Sequence, residues 1–292
     1  MNTTRSLVLI LLLSVLLSVL LSSCSKPDSA PATIPDPVAQ VTSGYAEINS
    51  VKLYYEITGE GEPLLLLHGG LGGSDHFSKI IPSLSGSFEV ITVDRRGHGR
   101  SYDDGEPYTY AAMADETAAF LDHLQLDSVN ILGFSDGGVV GYHLASTYPE
   151  KVRKLAAVGA NFRVNGMTEE TIEFTKNRLT PEGLRETFPE IEREYRATNP
   201  QPDNFEFFLT RSNELWLRNP YLTEEQMTGI QAPVLFIVGE NDAVRIEHVL
   251  LMRTLVEHSQ MCVLPGATHF VLGENPKVVL PILMDFFGDG GS

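Results

Sequence analysis

The sequence predicts an α/β fold: a doubly wound, mostly parallel, eight-stranded sheet with helices on both faces and a helical insertion before the last two strands. Three observations carry this. From residue 64 onward, short apolar runs alternate with stretches of helical periodicity, the pattern of parallel strands joined by crossover helices. The run 129–134 ends in Gly133-Phe134-Ser135-Asp136-Gly137-Gly138 and passes at once into a helical pattern of Val139, Val140, Tyr142, Leu144 and Ala145. Strand signals then vanish between about 160 and 230 and resume at 233.

In chain order, 45–49 and 51–57 alternate polar and apolar residues and read as antiparallel edge strands with one exposed face. After a turn at 59–63, the unbroken leucines of 64–67 fit a central strand buried on both faces. The loop His68-Gly69-Gly70-Leu71-Gly72-Gly73 leads to a helix expected over 76–84 and a strand over 88–93. A turn-rich loop, 94–101, precedes a helix over 110–124, with Met113, Thr117, Phe120, Leu121 and Leu124 toward one side. The strand 129–134, its helix to about 148, and a strand over 154–158 follow. Strand 233–239, helix 246–257, strand 261–264 and helix 276–287 close the fold. Right-handed crossovers make such a sheet doubly wound and gather reactive groups at the carboxyl ends of its strands.

The insertion carries helical stretches at 169–179, 181–188, 191–198 and 205–216. Its Trp216, the only tryptophan, lies near Phe205, Phe207, Phe208 and Leu215. These aromatics form a small core of the insertion's own, line a pocket beneath a cap, or do both. On the second reading Trp216, with Phe134 beside the turn, contacts the substrate.

The N-terminus reads as a targeting segment. Residues 1–5 carry one positive charge and 7–21 are almost wholly Leu, Val, Ile and Ser, which gives a signal peptide over 1–23. Leu21-Ser22-Ser23-Cys24 resembles a bacterial lipoprotein box, which implies cleavage before Cys24 and lipid on its thiol. Several acyl chains on one residue would hold the protein at a membrane of the cell envelope, on its extracytoplasmic face. Residues 24–43, rich in Pro, Ala, Ser and Thr, read as a flexible tether, leaving 44–292 as the folded domain with its cap at about 160–230.

Composition bounds the chemistry. A net charge of −17 without a basic cluster argues against nucleic acid and favours neutral or cationic small molecules. No metal-ligand spacing and no phosphate-cradling loop is present, so neither metal nor cofactor is expected. Cys262 lies in an apolar run and reads as a buried, inert thiol. Oligomeric state is not legible.

The 129–138 stretch carries chemistry. Gly-x-Ser-x-Gly on a strand–turn–helix junction holds a serine hydroxyl exposed at a helix N-terminus, where free N–H groups favour negative charge. A serine hydroxyl needs an imidazole to take its proton and a carboxylate to orient that imidazole. Of the histidines after Ser135, His143, His248 and His258 fall in or at the end of helical patterns, and only His269 sits in a loop after a strand. Asp242, in Gly239-Glu240-Asn241-Asp242 after the 233–239 strand, is the orienting acid, with Glu240 its competitor. Oxyanion donors are expected from the Asp136 backbone N–H and from Gly70 N–H, or else Leu71 N–H. His68, Asp94 and His98 read as organisers of turns. The Asp136 carboxylate either pairs with a substrate ammonium or caps the helix.

Jointly, His68-Gly69-Gly70, the 94–101 loop, Gly133-Phe134-Ser135-Asp136-Gly137-Gly138, Asp242 and Gly266-Ala267-Thr268-His269 resemble the α/β-hydrolase superfamily. The likeness spans about 45 to the C-terminus and implies hydrolysis of small esters or related acyl compounds through an acyl-enzyme. Ser-Asp-Gly-Gly at the turn is similar to the biphenyl-hydrolase-like group, which suggests carboxylic esters, amino-acid esters among them. A serine where dehalogenases and epoxide hydrolases carry aspartate argues against both. A cofactor-free perhydrolase or haloperoxidase-like enzyme, or a non-catalytic, membrane-tethered receptor on the same scaffold, stands as the alternative.

Overall fold

The computed structural model describes residues 41–218 and 221–288. The predicted leader, Cys24 and most of the tether lie outside them. The tether boundary moves: β1 (Val41–Ile48) already includes 41–43 and pairs in register with β2 (Val51–Thr58). Then come β3 (Glu62–Leu67), a 3-10 turn at Ser74–Phe77, α1 (Ile81–Leu84) and β4 (Phe88–Val93). The single helix expected over 76–84 is therefore two pieces. Pro82 stands in the first turn of α1, where its missing N–H and fixed φ suit a helix start, not a helix interior.

Helix α2 (Tyr110–His123) is capped by the Thr109 side chain. It is followed by β5 (Val129–Phe134), α3 (Asp136–Thr147) and β6 (Val152–Val158). The insertion supplies α4 (Glu169–Arg178), α5 (Pro181–Thr187), α6 (Pro189–Thr198) and α7 (Phe205–Arg218). A short α8 (Glu224–Thr228) ends it, unforeseen although Thr223 and Gln226 form a capping box. The chain returns through β7 (Val234–Asn241), α9 (Ile246–Leu255), β8 (Ser259–Thr268), α10 (Val271–Glu274) and α11 (Pro276–Phe287). Strand β8 outruns the predicted 261–264 because a register shift between Gly239 and Asn241 lets pairing continue to Thr268.

Among the described residues the strands form one sheet in the order β1-β2-β4-β3-β5-β6-β7-β8, antiparallel at β1, β2 and β4 and parallel beyond. Side chains alternate between two cores. Leu65, Leu67, Ile131, Leu155 and Phe236 face the side of α2, α3, α9 and the insertion. Leu64, Leu66, Leu132, Ala156 and Ile237 face α1, α10 and α11. Each leucine of β3 is fully buried, and burial of one such side chain stabilises by about 1.5–3 kcal/mol.

The insertion's aromatics do not form a separate core. Phe205 and Phe208 are buried in the same cluster as the sheet face, with Phe208 edge-on to His98 at 4.7 Å and stacked on Tyr195 at 4.7 Å. Phe207, one residue away on the helix, points outward and is 68% exposed. Asn199 donates to the carbonyls of Gly97, Gly99 and Ser101, and Arg211 pairs with the buried Asp103 at 2.8 Å, so polar bonds also tie the insertion to the loop after β4.

Candidate active site

The turn between β5 and α3 is tight because nothing larger than glycine fits. A Cβ on Gly137 would stand 1.9 Å from the Leu67 carbonyl oxygen. Ser135 bears the cost of that turn, with φ 51° and ψ −118°, a region that non-glycine residues rarely occupy. Its N–H donates to Val158 O at 2.8 Å, which locks the strained residue to β6. Every side chain of β5 is buried, and Ser135 alone in this junction is partly open.

Residues far apart in sequence meet there. His269 Nε2 lies 3.0 Å from Ser135 Oγ, and His269 Nδ1 lies 2.7 Å from Asp242 Oδ1. The Asp242 side chain is fully buried and anchored. Val244 N–H donates to Oδ1 at 3.0 Å and Gly239 N–H to Oδ2 at 3.2 Å. Glu240 is exposed and accepts instead from Gly266 N–H of the neighbouring parallel strand β8. Asp242 thus holds the contact expected of it, and Glu240 does not compete.

The Gly-rich loop after β3 borders Ser135: a Cβ on Gly69 would lie 3.2 Å from that of Ser135. Leu71 adopts φ 59°, a left-handed conformation on a branched residue. Asp136 N–H, first in α3, has no intrahelical partner by position. The Asp136 side chain follows neither sequence reading. It neither caps α3 nor lies free for an ammonium. Tyr110 Oη donates to it at 2.8 Å, Trp216 Nε1 at 2.9 and 3.0 Å, and Arg95 Nη2 stands 3.8 Å away. Burial and the Asp136 charge raise the Tyr110 hydroxyl pKa well above the tyrosine range, so it remains a donor.

The loop after β4 is an organised turn, as its sequence predicts, and Arg95, which the sequence does not single out, ties it to the loop after β3. Its backbone N–H donates to His68 Nε2 at 2.9 Å, and its Nη2 donates to the carbonyls of His68 and Gly69, each at 3.0 Å. His68 Nε2 is therefore an acceptor, so Nδ1 carries the proton and donates to Gly69 O at 2.6 Å. Burial, with Arg95 near, holds His68 well below the usual histidine pKa, consistent with a neutral ring. Asp94 accepts from Ser74 N–H, Arg100 N–H and Arg100 Nε. His98 Nδ1 lies 2.9 Å from Arg96 O.

Phe134 is buried, its ring 5.1 Å from His269 on one side and 5.5 Å from His76 on the other. It floors a cavity of about 190 Å³ with Phe270, Leu272 and His76. A larger one, about 510 Å³, opens between Leu71, Arg100 and the Tyr195 side of α6. The smaller lies near the reacting groups: the rings of Phe134 and Phe270, which line it, stand 5.1 and 5.7 Å from that of His269. Cys262 is half-buried, not fully so, with its thiol pKa raised by that burial. Among the described residues no group of three or more His, Cys, Asp or Glu is arranged to hold a metal.

The α/β hydrolase fold family matches the chain over residues 62–219. A putative carbamate hydrolase, RutD of Azorhizobium caulinodans, is 26% identical over 84% of this chain and 98% of its own. Human serine hydrolase BPHL is 28% identical over 78% of this chain and 80% of its own. Among solved structures, a bacterial membrane phospholipase A superposes with a TM-score of 0.73 at 20% identity, covering 84% of this chain and 85% of that one. The meta-cleavage product hydrolase CumD from Pseudomonas fluorescens superposes with a TM-score of 0.71 at 22% identity, covering 85% and 98%. At these identities the superpositions speak to fold.

Proposed function

Since the chain belongs to the α/β hydrolase fold family and is a hydrolase, we propose that it is a serine hydrolase of small, neutral carboxylic esters and related acyl compounds. One observation carries the reading: Ser135 Oγ, His269 and Asp242 in hydrogen-bond sequence, at 3.0 and 2.7 Å. His269 Nε2 takes the Ser135 proton as Oγ attacks the acyl carbon. The resulting imidazolium is held by the buried Asp242 carboxylate, and it returns the proton to the leaving alkoxide. Water then repeats the sequence on the acyl-enzyme. The oxyanion meets Asp136 N–H and Gly70 N–H, each such donor being worth roughly 3 kcal/mol in the transition state.

The preference for neutral acyl groups rests on Asp136. Its carboxylate already receives Tyr110 and Trp216 and faces Arg95, so an ammonium-bearing acyl group finds no unpaired charge. The names of the relatives, a putative carbamate hydrolase and a serine hydrolase, agree with acyl-transfer chemistry. Anchoring at the cell envelope through lipid on Cys24 belongs to the same proposal and rests on sequence alone. Radiolabelled palmitate should appear on the full chain and be lost in Cys24→Ser.

The enzymatic reading predicts that Ser135→Ala abolishes turnover of short-chain p-nitrophenyl esters while melting as the parent does. A fluorophosphonate probe should label Ser135 in the parent. Undiminished turnover in the variant would refute the assignment, and a folded parent that never labels would favour the receptor alternative.

A further inference from the structure

Buried charge beside the oxyanion donors has no role in the steps above. The Asp136 side chain stems from the residue whose N–H is one proposed donor, and it lies against the other: a Cβ on Gly70 would stand 2.8 Å from Asp136 Oδ2. An uncompensated carboxylate there would repel the negative charge that develops on the substrate oxygen. Two groups address it from opposite sides. Arg95, on the loop after β4, faces Oδ2 at 3.8 Å, with both side chains almost wholly buried. Trp216, on α7 of the insertion, donates Nε1–H to the carboxylate, and its ring covers Gly70, whose added Cβ would lie 2.4 Å from Cζ2.

Arg95 also reaches the second donor through the backbone. In a trans peptide the carbonyl of Gly69 and the N–H of Gly70 point in opposite directions. Arg95 Nη2–H and His68 Nδ1–H both hold the Gly69 oxygen, at 3.0 and 2.6 Å, which leaves the Gly70 N–H facing away from them. Among the described residues that N–H has no partner.

We infer that Arg95 and Trp216 are positioning residues for the oxyanion hole: Arg95 orients the Gly70 N–H and neutralises Asp136, and Trp216 fixes Asp136 and shields Gly70. The insertion thereby contributes to the catalytic geometry. This rests on the serine-hydrolase reading.

The test uses the whole protein and two variants, Trp216→Phe, which keeps the ring and removes the N–H, and Arg95→Lys. Each is assayed on p-nitrophenyl butyrate. Each is also titrated with an alkyl trifluoromethyl ketone, which forms a serine adduct bearing an oxyanion, and with the matching secondary alcohol, which does not. The expected result for Trp216→Phe is a kcat lowered about tenfold with KM within twofold. Trifluoromethyl ketone affinity should fall by the same factor and alcohol affinity should not change. Arg95→Lys should show a larger loss of the same form. Equal loss for ketone and alcohol, or no loss for either, overturns the inference. If Arg95→Lys does not fold, Trp216→Phe decides alone. A parent that neither labels with fluorophosphonate nor turns over ester overturns the serine-hydrolase reading and this inference with it. A parent that labels, with variants that keep the parent's ketone affinity, overturns the positioning role alone.

Discussion

Asp242→Asn is the most searching substitution, because the side chain has three donors and no exposed surface. The carboxylate accepts from His269 Nδ1, Val244 N–H and Gly239 N–H, and its side chain has no exposed surface. An asparagine amide offers one oxygen. If that oxygen keeps His269 and Val244, the amide NH2 faces Gly239 N–H and the imidazolium loses its counter-charge. If the amide turns over, NH2 faces Val244 N–H and donates to Nδ1. The proton then moves to Nε2, which can no longer accept from Ser135. Either way one buried donor is unpaired, and the base is weakened or reversed. The same change in a serine protease costs about 10⁴ in kcat, so a loss of 10³–10⁴ is expected here, about 4–5.5 kcal/mol of barrier. The assay is steady-state turnover of p-nitrophenyl butyrate, with melting temperature and circular dichroism as the check on folding. Glu240→Gln is the companion and should stay within threefold of the parent, since Glu240 is exposed and bonded to Gly266. A folded Asp242→Asn enzyme that keeps more than a tenth of parental kcat would refute the role of Asp242.

Other outcomes follow from packing and charge. Gly137→Ala should lower the melting temperature by about 6–12 °C or prevent folding, because the new methyl would meet the Leu67 backbone, an overpacking cost of at least about 3 kcal/mol. Phe208→Ala should destabilise by about 3–5 kcal/mol in chemical denaturation while Phe207→Ser stays within about 0.5 kcal/mol, since only the first is buried against His98 and Tyr195. Burial lowers the pKa of both His143 and His248 to about 4, and Phe162 N–H donates to His248 Nε2. The unfolded rings titrate near 6.5, so the unfolded chain binds more protons between pH 6.5 and 4. Stability is complete above that window and falls with pH through it, at up to about 1.4 kcal/mol per pH unit for each ring. Melting curves across the window should show the slope, and His248→Gln should flatten it; an unchanged slope would exclude His248 as a source.

Sequence periodicity identified the strands because a central strand such as β3 must be apolar on both faces, while edge strands such as β1 alternate. The turn at Ser135 was legible because strand and helix can approach only over glycine, as the Leu67 carbonyl beside Gly137 makes concrete. Asp242 and His269 were legible from their places after late strands. Each of these depends on local spacing or on the direction of the chain, which a sequence carries. What the sequence could not show is which side chains from separate elements share one buried charge. By sequence Asp136 reads as a cap or an ammonium site because it stands beside Ser135 at the start of a helix. Its actual partners come from α2, from α7 and from the loop after β4, 26, 80 and 41 residues away. Likewise Phe207 and Phe208 are equally apolar as letters, and only the packing of α7 on α6 and His98 sends one inward and the other into water. Local order follows from residue type and spacing. Partnership of buried charges follows from the low dielectric of the interior, which demands a counter-group without specifying in the sequence where it comes from.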